Sequence, residues 1–353
     1  MKYLVHLSMP IRNGIGGDNL RGEPRVERHI LASLLSCNKE VYTTDWPVET
    51  WCSGVLPNTL HRYSELKDIK NTSYIAYSAP SHSMVVRDAE NYILLMFNTP
   101  HQNPKNDILS LMKSTGGRVM IVSPFINNLN TMRNDYGTEN VVLIEGPAVP
   151  NISKRNNEQG LEYLLWAYRS FYNNATNCSR EVHTLFDWCR SKMVFNDILK
   201  VAVIVGDYPS VNLSKEDLYK WFWGLECSSP LKSLKDRVEL FWDINWDVVM
   251  DIHRRTKLVI SPGLSAGGPP YEAAINGTPV IFSNQYSPYK FEGMLTANNG
   301  VSPDFISKLE MLYSNKDLYN HYSDLYYNYV STHATYSAWV NRIESEIKTR
   351  GWE

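Results

Sequence analysis

The chain has 353 residues, a length that corresponds to about two domains of ordinary size. Hydrophobic residues make up 43% of it and charged residues 20%, a balance typical of a globular protein and not of a disordered or fibrous one. The 35 Lys and Arg residues against 37 Asp and Glu residues give a net charge of −2. This charge excludes a generally basic protein that coats nucleic acid, although it is compatible with a local basic patch.

No apolar run is long enough to cross a bilayer, and the first residues carry no signal-peptide pattern. The five cysteines are scattered and include no C-x-x-C pair, which predicts neither a disulfide framework nor a structural zinc site. We therefore expect a cytoplasmic protein with reduced thiols.

The first 150 residues alternate short apolar runs with helical patterns. The runs predict strands over 3–7, 40–44, 73–77, 92–97, 118–122 and 141–150. Helical spacing of apolar residues follows Pro24 and recurs around 108–112. The runs are almost continuously apolar, as expected for strands of a parallel sheet that helices cover on both faces.

A polar segment, 151–159, marks a domain boundary. Beyond it, we predict helices over about 160–174 and 180–195, and then the strand–helix alternation returns. The predicted strands are 200–206, 238–242, 257–261 and 279–282, and the predicted helices are one capped by Ser214 with Asp217, 246–255, 271–276 and a helical tail from Pro303. We therefore predict an α/β protein with two domains and a ligand cleft at the carboxyl ends of the strands.

The glycine-rich segment 261–281 is the most informative part of the sequence. Gly267 and Gly268 let the backbone approach a ligand, and the two prolines that follow suit the first positions of a helix. The free amides at such a helix start bind anions. We place Glu272 in the first turn, where a carboxylate can accept both hydroxyls of a ribose, although it could also simply complement the helix dipole. Together these features predict a nucleoside diphosphate site.

Residues 237–281 resemble the donor half of the GT-B glycosyltransferases, most closely the retaining nucleotide-sugar transferases of family four. The family pattern P-x-x-E-A-x-x-x-G-x-P-V-I is read here from Pro269 to Ile281. The family carries two glutamates; Glu272 matches the second, whereas Leu264 occupies the place of the first. The missing carboxylate leaves the sugar and the retaining or inverting outcome open.

The resemblance implies a GT-B fold of two Rossmann-like domains. Residues 1–150 correspond to the acceptor domain, 151–330 to the nucleotide-sugar donor domain, and 331–353 to a C-terminal helix that packs back toward the first domain. The implied catalytic candidates are Asp18, His82 and His101, and the implied donor-binding candidates are Gly16, Gly17, Ser265, Ala266, Gly267, Gly268 and Glu272.

A basic residue should also neutralise the diphosphate. Two alignments of the second domain with the family pattern are possible, and they point to different residues. In the first, residues 159–165 form the helix after the first strand of the second domain, which points to Lys154 and Arg155. In the second, residues 201–206 are that first strand, which points to Lys215. The first alignment is favoured because it gives a full set of strands.

The implied activity is transfer of a sugar from a nucleoside diphosphate sugar, with a UDP-sugar favoured, to an acceptor hydroxyl. The resemblance implies no tightly bound cofactor or metal, and the sequence contains no D-x-D pair that could hold a metal ion. The acceptor is open between a glycan, a small molecule and a hydroxymethylated DNA base. The last is compatible with the cluster of Arg21, Arg25, Arg28 and His29. A nucleotide-sugar epimerase and a non-catalytic nucleotide-sugar-binding protein of the same fold are the alternatives.

Overall fold

The structure is a computed structural model. It describes residues 1–7, 22–44, 60–77, 88–96, 105–124, 126–146, 149–156, 160–168, 180–194, 196–205, 214–224, 226–241, 244, 246–260, 268–283, 291–298 and 302–352.

The first half of the chain forms a seven-stranded sheet in which every pair of neighbours is parallel. Its strands are β1 (Lys2–Val5), β2 (Glu40–Thr43), β3 (Leu60–Arg62), β4 (Thr72–Tyr77), β5 (Asn91–Leu95), β6 (Val119–Ser123) and β7 (Val141–Leu143), and its helices are α1 (Gly22–Ser36), α2 (Lys105–Ser114) and α3 (Ile126–Tyr136). The strand order is β3-β2-β1-β4-β5-β6-β7. The expectation of a parallel sheet covered on both faces is confirmed.

The second half forms a four-stranded parallel sheet of order β10-β9-β8-β11 and a parallel pair, β12 and β13. Its strands are β8 (Tyr163–Tyr168), β9 (Lys200–Val205), β10 (Val238–Phe241), β11 (Thr256–Val259), β12 (Phe282–Ser283) and β13 (Thr296–Ala297). Its helices are α4 (Arg180–Val194), α5 (Lys215–Gly224), α6 (Trp246–Arg254), α7 (Gly268–Ile275), α8 (Pro303–Ser314), α9 (Lys316–His333) and α10 (Tyr336–Thr349). Short 3₁₀ segments occupy 63–65, 138–140 and 226–237.

The helix predicted over 160–174 is wrong, because its central part is the strand β8. This strand lies inside the second sheet, where β9 pairs with one edge and β11 with the other. Leucine, alanine and glutamate in this stretch favour a helix locally, but pairing with two neighbouring strands overrides that weak preference. Both alignments used to find the diphosphate cation are therefore incorrect, since β8, and not β9, is the first strand of this sheet.

Local capping in the second half follows the sequence. The Ser214 hydroxyl accepts the Asp217 amide at 3.1 Å and donates to its carboxylate at 2.6 Å, so the predicted cap of α5 is confirmed. Gly277 ends α7 in the left-handed region with φ of +78°, as expected for a glycine after a helix.

The helix α10 belongs to the core of the first sheet although it is the most C-terminal helix of the described residues. Trp339, Val340, Ile343 and Ile347 are at most 1% exposed and pack with residues of α1 and of the first sheet. The core of the second sheet is separate and includes the buried faces of α7, α8 and α9. The two units are thus joined by two crossings of the chain, one near 149–152 and one near 334–337.

These crossings are bonded to each other. Val149 lies opposite Thr335 in a parallel bridge: its amide donates to the Ala334 carbonyl and its carbonyl accepts the amide of Tyr336. The Asn151 side chain accepts the amide of Ser337 at 3.1 Å. A third contact is made by Tyr329 of α9, whose hydroxyl donates to the Glu145 carboxylate just after β7. None of the helices in these described ranges is both long and apolar enough to cross a membrane.

Candidate functional site

The helix α7 starts at the carboxyl end of the second sheet, where ligands bind in folds of this type. Gly268 is its first residue, three residues before the predicted start at 271, and Pro269 and Pro270 occupy early helical positions as the sequence predicts. Its apolar side packs into the second core, where Ala273 and Ile275 are 0% exposed. The first turn of α7 therefore has a fixed position at the edge of the sheet. Pro269 and Pro270 have no N–H group, so Gly268 is the described residue of this turn whose free amide can receive an anion.

Glu272 lies in the second turn of α7, so its predicted place in the first turn is wrong. Its carboxylate contacts α6: the Oε2 atom is 3.0 Å from Nε2 of His253. The exposed fractions of the two side chains are 2% for Glu272 and 1% for His253. The acidic group that the sequence singled out is thus buried and held by a histidine.

Arg155 holds together the turn between α6 and β11. Its Nη1 atom donates to the carbonyl oxygens of His253, Arg254 and Thr256 at 3.2, 2.7 and 2.6 Å. Its Nη2 atom donates to the hydroxyl of Tyr319 in α9 at 2.7 Å. Thr256 is the first residue of β11, so this guanidinium lies at the amino end of the strand. That placement argues against Arg155 as the diphosphate clamp, which belongs at the carboxyl end.

Lys154 also lies away from the start of α7. Its ammonium group is 2.6 Å from Asp324, and its methylene chain packs beside Gly277, the residue that ends α7. A helix of eight residues is about 12 Å long. Lys154 lies beside the C-terminal end of α7, so its side chain is about one helix length from the first turn. Lys154 therefore pairs within the second unit instead of facing the predicted anion site.

Lys215 is better placed, since it is the first residue of α5 and α5 follows β9. The strands β9 and β11 are parallel members of one sheet, so the starts of α5 and α7 lie at the same edge. Lys215 is the predicted cation whose backbone the structure brings to the edge where a diphosphate would bind.

The remaining predicted residues lie outside the described residues. They are Asp18, His82, His101, Gly16, Gly17, Ser265, Ala266 and Gly267, and their roles stay predictions.

Two members of the basic cluster proposed for a DNA acceptor are buried. Arg28 is 7% exposed and His29 is 5% exposed. The Nδ1 atom of His29 lies 3.0 Å from the hydroxyl of Tyr336, and its ring packs edge-on against Trp246 of α6. His29 thus connects α1 with α6 and α10, and neither of the two side chains forms an exposed face for phosphate groups.

A cavity of about 750 Å³ lies among the end of α1, the crossing at 150–152, the exposed face of α6 and the start of α10. Trp246, Met250 and Tyr336 are among its lining residues. None of the predicted site residues that lie within the described ranges lines it.

His253 is the residue of this site that sequence reasoning missed. It is separated from Glu272 by 19 positions, and a single histidine in a helix carries no motif. Only the packing of α6 on α7 brings the two side chains together. The sequence does contain one signal: His253 lies just before β11, the strand that leads into the glycine-rich segment.

No family model and no curated protein sequence matches the chain. Solved structures do match. WaaG, a glycosyltransferase involved in lipopolysaccharide biosynthesis, is similar with a TM-score of 0.60 and 11% identity over 99% of this chain and 100% of its own. Anabaena HepE in complex with UDP-glucose is similar with a TM-score of 0.59 and 10% identity over 99% of this chain and 100% of its own.

TarM is similar with a TM-score of 0.51 and 14% identity over 80% of this chain, which spans only 56% of TarM. At such low identities, the three likenesses show a common fold. The chain therefore has the GT-B fold, and the fold expectation from the glycine-rich segment is confirmed. The assignment to family four is not supported by these matches and stays a prediction.

Proposed function

We propose that the chain is a glycosyltransferase that moves a sugar from a nucleoside diphosphate sugar, with a UDP-sugar favoured, to an acceptor hydroxyl. The observation that carries this proposal is the start of α7 at the carboxyl end of β11 within a GT-B fold. HepE, which shares the fold, is seen in complex with UDP-glucose. The proposal extends that binding to this chain because its sequence supplies the glycine-rich approach and the Gly268 amide at the start of α7.

Catalysis by such a site depends mainly on positioning and on charge stabilisation. The donor would be held with its diphosphate at the Gly268 amide at the start of α7, so that the bond between sugar and phosphate faces the first unit. As that bond breaks, negative charge develops on the leaving diphosphate, and the Gly268 amide together with a basic side chain stabilises it. Lys215 is the residue that we propose for this cation, since α5 starts at the same edge of the sheet.

The first test measures the diphosphate contact. We expect the full chain to bind UDP in isothermal titration calorimetry and to bind uridine much more weakly. Replacing Lys215 by Met should weaken UDP binding about tenfold, as expected for loss of one charged contact, and leave uridine binding unchanged.

Lys220→Met is the matched control. Lys220 lies on the same helix, but its side chain is 68% exposed and pairs with Glu216. Its replacement should leave the affinity for UDP unchanged. Failure of the unmodified chain to bind any nucleoside diphosphate would overturn the proposed function.

A second measurement separates a transferase from an epimerase of the same fold. The protein is incubated with UDP-sugars alone, and the sugar is analysed by NMR spectroscopy. A transferase without an acceptor leaves the sugar configuration unchanged and releases at most UDP by slow hydrolysis, whereas an epimerase converts the sugar without any acceptor. Binding without either reaction, in the presence of a panel of acceptors, would indicate a non-catalytic binding protein.

A further inference from the structure

One carboxylate of the first unit lies against side chains of the second unit. Glu145 follows β7, and its two carboxylate oxygens lie 2.5 and 2.6 Å from the hydroxyl of Tyr329 in α9. Tyr329 packs against the second core, whereas Ile144, the neighbour of Glu145, belongs to the first core. We infer that Glu145 is a proton-dependent latch: its protonated form favours this contact between the units, and its ionised form favours their separation here. The inference requires no bound nucleotide and therefore goes beyond the proposed function.

The second unit holds the Tyr329 side chain in place from both sides. The ring of Tyr329 is stacked between those of Phe291 and His333, with ring centroids 4.1 and 4.5 Å apart. Nδ1 of His333 also donates to the Tyr329 carbonyl oxygen at 2.9 Å, since a carbonyl can only accept. The hydroxyl that meets the carboxylate therefore has a fixed position, and a change at Glu145 acts on a rigid partner.

Groups on three helices act on the charge of Glu145. Burial is the largest effect, and it raises the pKa of Glu145 above its ordinary value. Hydrogen bonding by Tyr329 of α9 and Tyr271 of α7 favours the ionised carboxylate, as do the charges of Arg342 in α10 and of protonated His333 in α9. These groups reduce the effect of burial but do not cancel it. The ionised carboxylate is thus less favourable in this contact than in water.

The direction of the pH effect follows from this difference. If the units separate at Glu145, water reaches the carboxylate and its pKa returns toward the ordinary value. The joined arrangement binds the proton more tightly than the separated one, so the proton favours the joined arrangement. As the pH rises from the ordinary carboxyl range through the raised pKa, the proton leaves to solvent and this advantage is lost. Glu145 is only half-buried, so solvent can take up its proton.

Hydrogen exchange followed by mass spectrometry measures the contact in the full chain at pH 5.5 and pH 8. The amides of Val149 and Tyr336 are the reporters, because they bond the two crossings to each other close to Glu145. After correction for the intrinsic pH dependence of exchange, we expect their protection to fall about fivefold or more between the two pH values, the lower end of typical coupling effects. The amides of β5 and β6 are the internal reference and should keep their protection.

Two variants separate the latch from a merely structural contact. Glu145→Gln cannot titrate, although its carbonyl oxygen can still accept the Tyr329 hydroxyl, so protection should be equal at the two pH values. Tyr329→Phe keeps the stacked ring but removes a donor that favours the ionised carboxylate, so the fall in protection should become larger. A merely structural tyrosine would lower protection equally at both pH values. Glu139→Gln is the control, because Glu139 is exposed just before β7, and it should leave the fall unchanged.

The outcomes are decisive for Glu145. Equal protection of the unmodified chain at both pH values overturns the latch, and so does a fall that persists in Glu145→Gln. His333→Gln should retain the fall; if the fall disappears there, the imidazole is the switch and the inference is wrong. If Glu145→Gln does not fold, Tyr329→Phe decides, since an unchanged fall in that variant overturns the latch. No nucleotide is used, so failure of UDP binding affects the proposed function alone.

Discussion

Arg155 shows how one side chain can organise a turn that is remote in sequence. Its guanidinium donates to three carbonyl oxygens around the turn between α6 and β11 and to Tyr319. The carbonyl of Arg254 lies 99 positions away along the chain. A planar group with several donors in fixed directions suits this task, whereas an ammonium group concentrates its donors at one point. Arg155 is therefore assigned to the structure of the second unit.

We expect Arg155→Lys to reduce the free energy of unfolding by about 2 kcal/mol, because at least two buried carbonyl groups lose their donor. Urea denaturation followed by circular dichroism measures the change. Arg190→Lys is the control, since Arg190 is half exposed and pairs with Asp187 on the surface. Equal stability of the Arg155→Lys variant and the unmodified chain would contradict the assignment.

The residues of the site illustrate what sequence can and cannot predict at this scale. The start of α7, with its glycine and two prolines, could be predicted because the signals are local and adjacent. The partners of Arg155 and Glu272 could not, since each depends on which helix packs beside which strand. Lys154 and Arg155 are predicted from an alignment that treats 159–165 as a helix. That alignment is wrong, because residues 163–168 form the strand β8.

At the scale of elements, one carboxylate of α8 bonds to two side chains of α4. Glu310 of α8 accepts hydrogen bonds from Lys192 and Trp188 of α4 at 2.8 and 2.7 Å, and from Ser314 at 2.6 Å. Burial opposes ionisation of this group, but the hydrogen bonds outweigh it and lower the pKa of Glu310 to about 2. The ionised carboxylate therefore stabilises the contact between the two helices.

Glu310→Gln should make this contact depend less on pH. A lowered pKa in the folded protein means that the carboxylate contributes stability above its ordinary pKa, and that this contribution is lost as the pH falls toward 2. We expect the variant to be less stable than the unmodified chain by about 1 kcal/mol at pH 7, a value reduced for the exposure of the pair, and the difference to shrink at pH 3. Urea denaturation at the two pH values measures it.

The control for this prediction is Glu216→Gln, because Glu216 is 78% exposed in a surface pair with Lys220. Its replacement should have little effect at either pH. If the Glu310→Gln variant lost the same free energy of unfolding at pH 7 and at pH 3, the ionised carboxylate would be excluded as the cause of the loss.

The strand β8 is the element at which sequence-based prediction failed. Its six residues are apolar or aromatic with leucine and alanine among them, and a short apolar run does not distinguish a strand from a buried helix. The strands whose runs were richer in valine and isoleucine, such as β6 and β9, were predicted correctly. The composition of β8 does not by itself favour a strand. Its pairing with β9 and β11 makes it one.

At the scale of the whole molecule, the first core is completed by a helix from the far end of the described chain. Trp339 of α10 is 0% exposed and packs in this core. We expect Trp339→Ala to reduce the free energy of unfolding by about 3–5 kcal/mol, as is typical when a large buried aromatic side chain is removed. Urea denaturation measures the loss, and limited proteolysis should show cleavage that begins in residues of the first unit.

Asn341→Ala is the control on the same helix, because Asn341 is exposed. It should leave both stability and the cleavage pattern unchanged. Cleavage of the Trp339→Ala variant that starts in the second unit would contradict the placement of α10 in the first core.

The course of α10 also has a consequence for synthesis. Residues 2–143, which supply every strand of the first sheet, leave the ribosome long before residues 336–347, which cover part of it. Domains usually fold in the order in which they are translated. We therefore expect the nascent first half to keep the apolar surface that α10 covers exposed to solvent until residues 336–347 have been translated.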